Sequence, residues 1–209
     1  MLRDRFCMSV AAAIFAAASF GAQAQTASGK FTCDAETYTV ESAVAAWVPG
    51  AKMFYVWALA GKFSDEELKA LAFAEGGRNL KTSPKAMSDK GFQKAASDAQ
   101  TRKRSVKHVM MRGYLKDNAA RVDWKNVDGA TLMYVNCLKN ENLNFSMRPG
   151  EKDPNSDITK AFKSFDFPLK DGAKVKYQTI AFKHAANPKG ISTSVTWDYK
   201  VDTRVYVIE

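Results

Sequence analysis

The stretch Thr37–Phe63 (TYTVESAVAAWVPGAKMFYVWALAGKF) constrains this chain more than any other. It is the longest apolar block outside the N-terminus, and it reads as two long strands folded about a turn at Pro49–Gly50. In the first arm Tyr38, Val40, Ser42, Val44, Ala46 and Val48 share one face by strand alternation. In the second arm Met53, Tyr55, Trp57 and Leu59 alternate with Phe54, Val56, Ala58 and Ala60. Both faces of that arm are apolar, which predicts a central strand covered on both sides. β-Branched and aromatic residues favour pleated backbone over helix. A membrane-spanning helix is excluded because Glu41, Pro49, Gly50 and Lys52 interrupt the run.

Residues 1–24 read as a secretory signal. Arg3 and Arg5 form a basic start, Phe6–Phe20 a short apolar run, and Ala22-Gln23-Ala24 a small-x-small cleavage pattern. Cleavage after Ala24 leaves residues 25–209 as one β-rich globular domain in the periplasm or the medium, a length that suits a single core. Cys7 leaves with the signal. Cys33 and Cys137 remain in an oxidising compartment, so one disulfide between them is expected.

After Phe63 the pattern changes period. Ser64-Asp65-Glu66-Glu67 is a capping box whose acids also complement the helix dipole. Leu68, Leu71, Ala72 and Glu75 follow at helical spacing, and Gly76-Gly77 is a stop, so a helix is expected over 65–75. Phe92, Ala95, Ala96 and Ala99 mark a second helix over Asp89–Lys103. From Val106 alternation returns, with Val109, Met111 and Leu115 opposite His108, Met110, Arg112 and Tyr114. Further strands are expected at Arg121–Val127, Ala130–Leu138 and Leu143–Met147, with a tight turn at Asp128-Gly129. Residues 148–157 read as a loop and 158–163 as a brief helical turn. A second long hairpin closes the chain, Ala173–Lys183 and Ile191–Ile208 about a turn at Ala185–Gly190. Strands around a helical insert predict an α+β domain of mainly antiparallel sheet, two long hairpins with helices around 65–103. A β-sandwich with a helical insertion is the alternative.

Charge singles out one region. The chain carries +9, and Arg78–Lys116 alone holds eleven Lys or Arg residues against two acids, Asp89 and Asp98. Arg102, Lys103, Arg104, Lys107 and Arg112 crown the segment and are its candidate anion-binding residues. Such a patch concentrates anions. In an exported protein of bacterial type these are anionic lipid headgroups, lipopolysaccharide phosphates, cell-wall polymers or acidic proteins. A solvated face is the simpler account of the same charge. Nucleic acid is disfavoured by the export signal and by the few aromatics available for base stacking, Phe92 and Tyr114.

Enzyme constellations are thin. His108 and His184 are the two histidines, and there is no HExxH, CxxC, GxSxG or SxxK motif. No metal site and no cofactor are expected. Asp198 and Asp202 share a strand face at about 13 Å, beyond the span of a glycosidase pair. Trp57, Trp124 and Trp197 suit core packing better than a sugar or lipid cleft. The sequence therefore predicts a non-enzymatic binding module. An envelope-polymer hydrolase using His108 or His184 and a scaffolding subunit that pairs through sheet edges are the alternatives.

Overall fold

A computed structural model describes residues 26–33, 36–78, 80, 84–138, 141–152, 157–180, 182–186 and 193–209. For residues 26, 132, 134–138, 141–144, 182–186 and 193–195 it describes the backbone alone. The expected signal segment 1–24 and residues 187–190 of the turn expected over Ala185–Gly190 lie outside these residues, whereas Ala185 and Ala186 belong to a strand.

Among the described residues the chain is mostly sheet with two α-helices, an α+β fold. In order it runs β1 (Thr26–Cys33), β2 (Glu36–Thr39), β3 (Ser42–Val48), β4 (Met53–Leu59), α1 (Asp65–Gly77), α2 (Lys90–Ser105) and β5 (His108–Leu115). It continues through β6 (Val127–Leu138), β7 (Glu141–Met147), β8 (Phe162–Asp166), β9 (Lys174–Thr179), β10 (Phe182–Ala186) and β11 (Thr193–Val207). The strands form one path, β2-β1-β11-β3-β4-β5-β6-β7, with β10 and β9 on the other flank of β11 and β8 beyond β9. The sheet is mixed and curls into a half-barrel.

β3 and β4 pair in antiparallel register from Ser42↔Leu59 to Val48↔Met53, and every residue of both is buried. The turn is a 3₁₀ turn over Pro49–Ala51. It closes at Lys52, whose left-handed backbone (φ 51°) brings its N–H to the Pro49 carbonyl at 3.0 Å. The first arm is not one strand, as alternation alone predicts, but two. β2 pairs with β1, and the chain breaks at Val40 and Glu41 before β3 joins β4. Val40 donates its N–H to Gly29 O and Glu41 to Leu59 O, both at 2.9 Å. The faces exchange at this break, so Val40 and Val44 enter different clusters. With apolar residues on both faces of β3, periodicity carries no mark of such a switch.

β11 joins the two parts of the sheet. Its register with β1 runs from Thr26↔Asp202 to Cys33↔Val195, and its last residues lie parallel to β3 over Val205–Val207. On its other flank it takes β10 and then β9, so the single arm expected over 173–183 is interrupted between Thr179 and Phe182. Arg121–Val127 is not a strand. Asp123 caps a 3₁₀ turn over Trp124–Asn126 by accepting from Lys125 N at 3.0 Å, and Asp128 and Gly129 lie inside β6 rather than in a turn.

Curling buries the inner face, where Phe31, Trp47, Phe54, Met111, Phe167 and Trp197 meet. Gly113 is needed there. It pairs with Phe54, and a Cβ on it would stand 2.2 Å from the Phe54 ring. The outer face of β3 and β4 is covered by α1, whose Leu68, Leu71 and Ala72 pack on Val44, Ala46, Val48 and Ile208. α1 begins at the expected capping box: Ser64 Oγ accepts from Glu67 N at 3.2 Å, and Glu67 Oε2 accepts from Ser64 N at 2.7 Å. α2 is capped by Asp89, which accepts from Phe92 N at 2.7 Å, and docks chiefly on α1. Ala96 meets Ala70 and Ala74 there, and Phe92 stands edge-on to Phe73.

Candidate functional site

β5 carries the site because its outward residues pass from cover to solvent within one strand. His108 is buried, Met110 and Arg112 are half-buried, and Tyr114 is exposed at 37%. The opposite positions, Val109, Met111, Gly113 and Leu115, all face the inner core, as strand alternation requires. The helical layer therefore ends above the middle of β5, and the polar residues of the segment are sorted along that boundary.

At the covered end His108 is only 1% exposed. Its Nδ1 donates to the Val106 carbonyl at 3.1 Å, since a carbonyl can only accept. Burial pushes its pKa down to about 4, with nearby Lys103 acting in the same direction. The imidazole is thus neutral and sealed at neutral pH, a poor position for acid–base work on a polymer. The side chain of His184 lies outside the described residues.

The last turn of α2 holds Arg102, Lys103 and Arg104, where cations suit the helix dipole. Two of them turn to acids on α1. Arg102 donates to Glu67 and to the Lys62 carbonyl, and its guanidinium carbon lies 4.6 Å from the Phe63 ring centroid. Lys103 Nζ donates to Glu75 Oε1 at 2.6 Å with both side chains largely buried, at 12% and 13% exposure. Burial holds the Lys103 pKa below its ordinary value despite that partner. Arg104 is exposed beside them. Lys107 lies half-buried 5.9 Å from the Tyr38 ring centroid. The five candidate cations therefore do not converge on one point. Glu67 and Glu75 are read from the sequence as a cap residue and a helix residue, and nothing local marks them as counter-ions to residues 28 and 35 positions away.

Arg112 differs from the other four. Its guanidinium meets the Tyr114 ring at 5.6 Å, and its Nε is buried with no acceptor among the described residues. Trp57 Nε1, on the neighbouring strand and the same face, is buried and equally without an acceptor among them. The Trp57 ring stacks on Tyr55 at 5.2 Å, an apolar contact that gives its N–H no acceptor. No residue pattern announces such orphaned donors, because they are defined by which atoms the fold brings above them.

Elsewhere, a hollow of about 560 Å³ lies against Trp47, Pro49, Phe73, Leu169 and Val207. Its rim mixes Lys85 and Lys170 with Asp171 and Glu209, so it favours neither sign of charge. Asp198 and Asp202 lie on β11, and Asp202 stands 4.0 Å from Lys174 and 3.7 Å from Lys176. Trp57 and Trp197 are core residues, and Trp124 stacks on Phe162 and packs on Phe165. Among the described residues no three His, Cys, Asp or Glu side chains are grouped to hold a metal ion, and no helix is long and apolar enough to cross a membrane. Compared with protein families, with characterised proteins and with solved structures, the chain matches none.

Proposed function

We propose that the protein is an exported, non-enzymatic binding module whose 78–116 segment engages an anionic component of the cell envelope. What supports the reading is the exposure of Lys85, Lys90, Lys94, Arg102 and Arg104 on α2 and its approach, in the layer that lies outside α1. The two acids of the segment are already occupied, Asp89 as the cap of α2 and Asp98 in a 2.6 Å pair with Lys94. Arg102 is 46% exposed in its pair with Glu67, and an ion pair so open to water contributes about 0–1 kcal/mol, so an external phosphate can compete for it. Lys103 is a structural cation by contrast. Export by the 1–24 signal and a disulfide between Cys33 and Cys137 belong to the same proposal. Cys33 is buried on β1, and β1 and β6, which carries Cys137, lie against one another. A hydrolase acting through His108 draws no support from a sealed, neutral imidazole.

The test is co-sedimentation of the purified protein with phosphatidylglycerol-containing and purely phosphatidylcholine vesicles across a salt series. Binding to the anionic vesicles should weaken steeply with salt, and Arg102→Glu combined with Arg104→Glu should lower it by about tenfold or more. Equal binding to both vesicles, or binding indifferent to salt, would refute the lipid reading. No vesicle binding at low salt, with retention on an acidic protein column, would move the partner to the acidic-protein class.

A further inference from the structure

We propose that the outer face of β4 and β5, between Trp57, Met110, Arg112 and Tyr114, seats the oxyanion head of an amphipathic ligand, a carboxylate or phosphate carried on an apolar body. The inference rests on the anion-binding reading of the same segment and places one of its contacts.

Tyr55 pairs directly with Arg112 and Trp57 with Met110, so Trp57 and Arg112 are diagonal neighbours on one face, about 7–8 Å apart along the sheet. Each holds a buried nitrogen with no acceptor among the described residues. Buried polar groups are satisfied in the great majority of cases, and an orphaned donor costs about 1–3 kcal/mol. Trp197 Nε1, in the inner core, also lacks an acceptor among the described residues, but only Trp57 and Arg112 are neighbours on one face, and it is that pairing which points to a missing group.

The chemistry of that group follows from the donors. An indole N–H and a guanidinium have no acceptor lone pair to offer, so a ligand that donates finds no partner in them. Water gains only half of its hydrogen bonds in such a site. An oxyanion accepts from both, and it supplies the opposite charge that Arg112 lacks among the described residues. A planar guanidinium suits the two oxygens of a carboxylate or phosphate.

The apolar body follows from the flank. Tyr114 is the one exposed large hydrophobic side chain among the described residues, and on the other side of Arg112 Met133, in register with Met110, is half-buried. Methionine adapts its shape to a ligand at little cost. The helical layer closes the His108 end, so the ligand enters past Tyr114. Because Arg112 Nε is shut from water while the Tyr114 ring lies by the guanidinium, the ring turns aside as the head seats.

Calorimetric and tryptophan-fluorescence titrations of the purified full chain test this, with octyl phosphate, octanoate, neutral octyl glucoside and inorganic phosphate below micellar concentrations. One or both of the charged octyl probes should bind about tenfold or more tightly than octyl glucoside and than inorganic phosphate, and the stronger head identifies phosphate or carboxylate as the source. Arg112→Gln should lose about tenfold, Arg112→Lys should recover part of it, and Trp57→Phe should weaken binding several-fold while keeping a ring in place. Octyl glucoside binding as tightly as both charged probes overturns the proposal, and that comparison needs no variant. A folded Arg112→Gln protein with unchanged affinity overturns it too. If this site fails while the Arg102→Glu/Arg104→Glu variant still loses vesicle binding, the surface reading stands alone. If octyl phosphate binds the Arg102→Glu/Arg104→Glu variant normally and vesicles never bind the native protein, the seat at Arg112 stands and the surface reading falls.

Discussion

The two faces of β3, β4 and β5 are buried by different partners, and their composition differs accordingly. The inner face (Ala43, Ala45, Trp47, Phe54, Val56, Ala58, Val109 and Met111) is closed by the curl of the sheet itself and holds no acid or base. The outer face is closed by α1 and α2 and holds Ser42, His108, Arg112 and the indole N–H of Trp57. Strand register positions the inner contacts over their whole length, and the one buried donor without an acceptor among the described residues of that core, Trp197 Nε1, is sealed from water. A helix covers only a stripe, and at its margin polar groups sit half in and half out of solvent. The inner face is where stability is concentrated, and the margin of the outer face is where a ligand can be engaged.

Reduction should give the largest effect that separates the faces. Cys33 belongs to the inner cluster, and a Cys33–Cys137 bridge closes a loop of about a hundred residues, for which the chain-entropy model gives about 4–5 kcal/mol. If the proposed bridge forms, Cys33→Ser, Cys137→Ser and the double variant should each lose that amount in urea denaturation. Rapid alkylation of both thiols in the native, unreduced protein would remove the bridge from the account.

Phe54→Ala comes next. The ring is fully buried, edge-on to Phe167 at 5.3 Å, and fills the space above Gly113. Its loss should cost about 3–5 kcal/mol, read as a lower urea midpoint. A cost below about 1 kcal/mol would mean that the inner face repacks freely and that the contrast between the faces is false.

The outer face should reveal itself through pH. Burial lowers the His108 pKa from 6.5 to about 4 in the folded protein. Between those values the unfolded chain binds the proton and the folded one does not, so stability falls as pH drops through this window. The full loss is about 3 kcal/mol, on the order of 1.4 kcal/mol per pKa unit. Glu67, whose pKa is held down by its Ser64 and Arg102 hydrogen bonds against the opposing effect of burial, adds its own loss only at lower pH, as it falls below about 4.5. His108→Gln should flatten the stability profile between pH 6.5 and 4. An unchanged slope in that variant would show that His108 is not the sealed, neutral group on the outer face.

The elements that were legible are those whose cause is local. Ser64 and Glu67 close a hydrogen-bonded box within four residues, so the start of α1 is readable to the residue. Apolar residues on both faces of β4 announce a strand covered twice. The break at Val40, the splitting of the 173–183 arm into β9 and β10, and the strand β8 were not legible. They depend on which distant backbone offers a hydrogen bond, as Gly29 does to Val40. The basic segment shows the same division. Its charge is plain in the sequence, but whether Arg102 faces solvent, Glu67 or a partner is decided across 35 residues.

By itself the sequence determined the α+β composition, the two helices and the capping box of the first, the alternation that turns Val109 inward and Arg112 outward, and the concentration of cations between 78 and 116. Those follow from interactions over a few residues, where side-chain period and capping chemistry have few solutions. The tertiary structure alone decided that β11 runs antiparallel to β1 and then parallel to β3, and that Lys103 is spent on Glu75. It also decided that Trp57 Nε1 and Arg112 Nε share a face as buried donors without an acceptor among the described residues. Each of these requires segments far apart in the chain to meet, and their meeting is set by closure of the whole core.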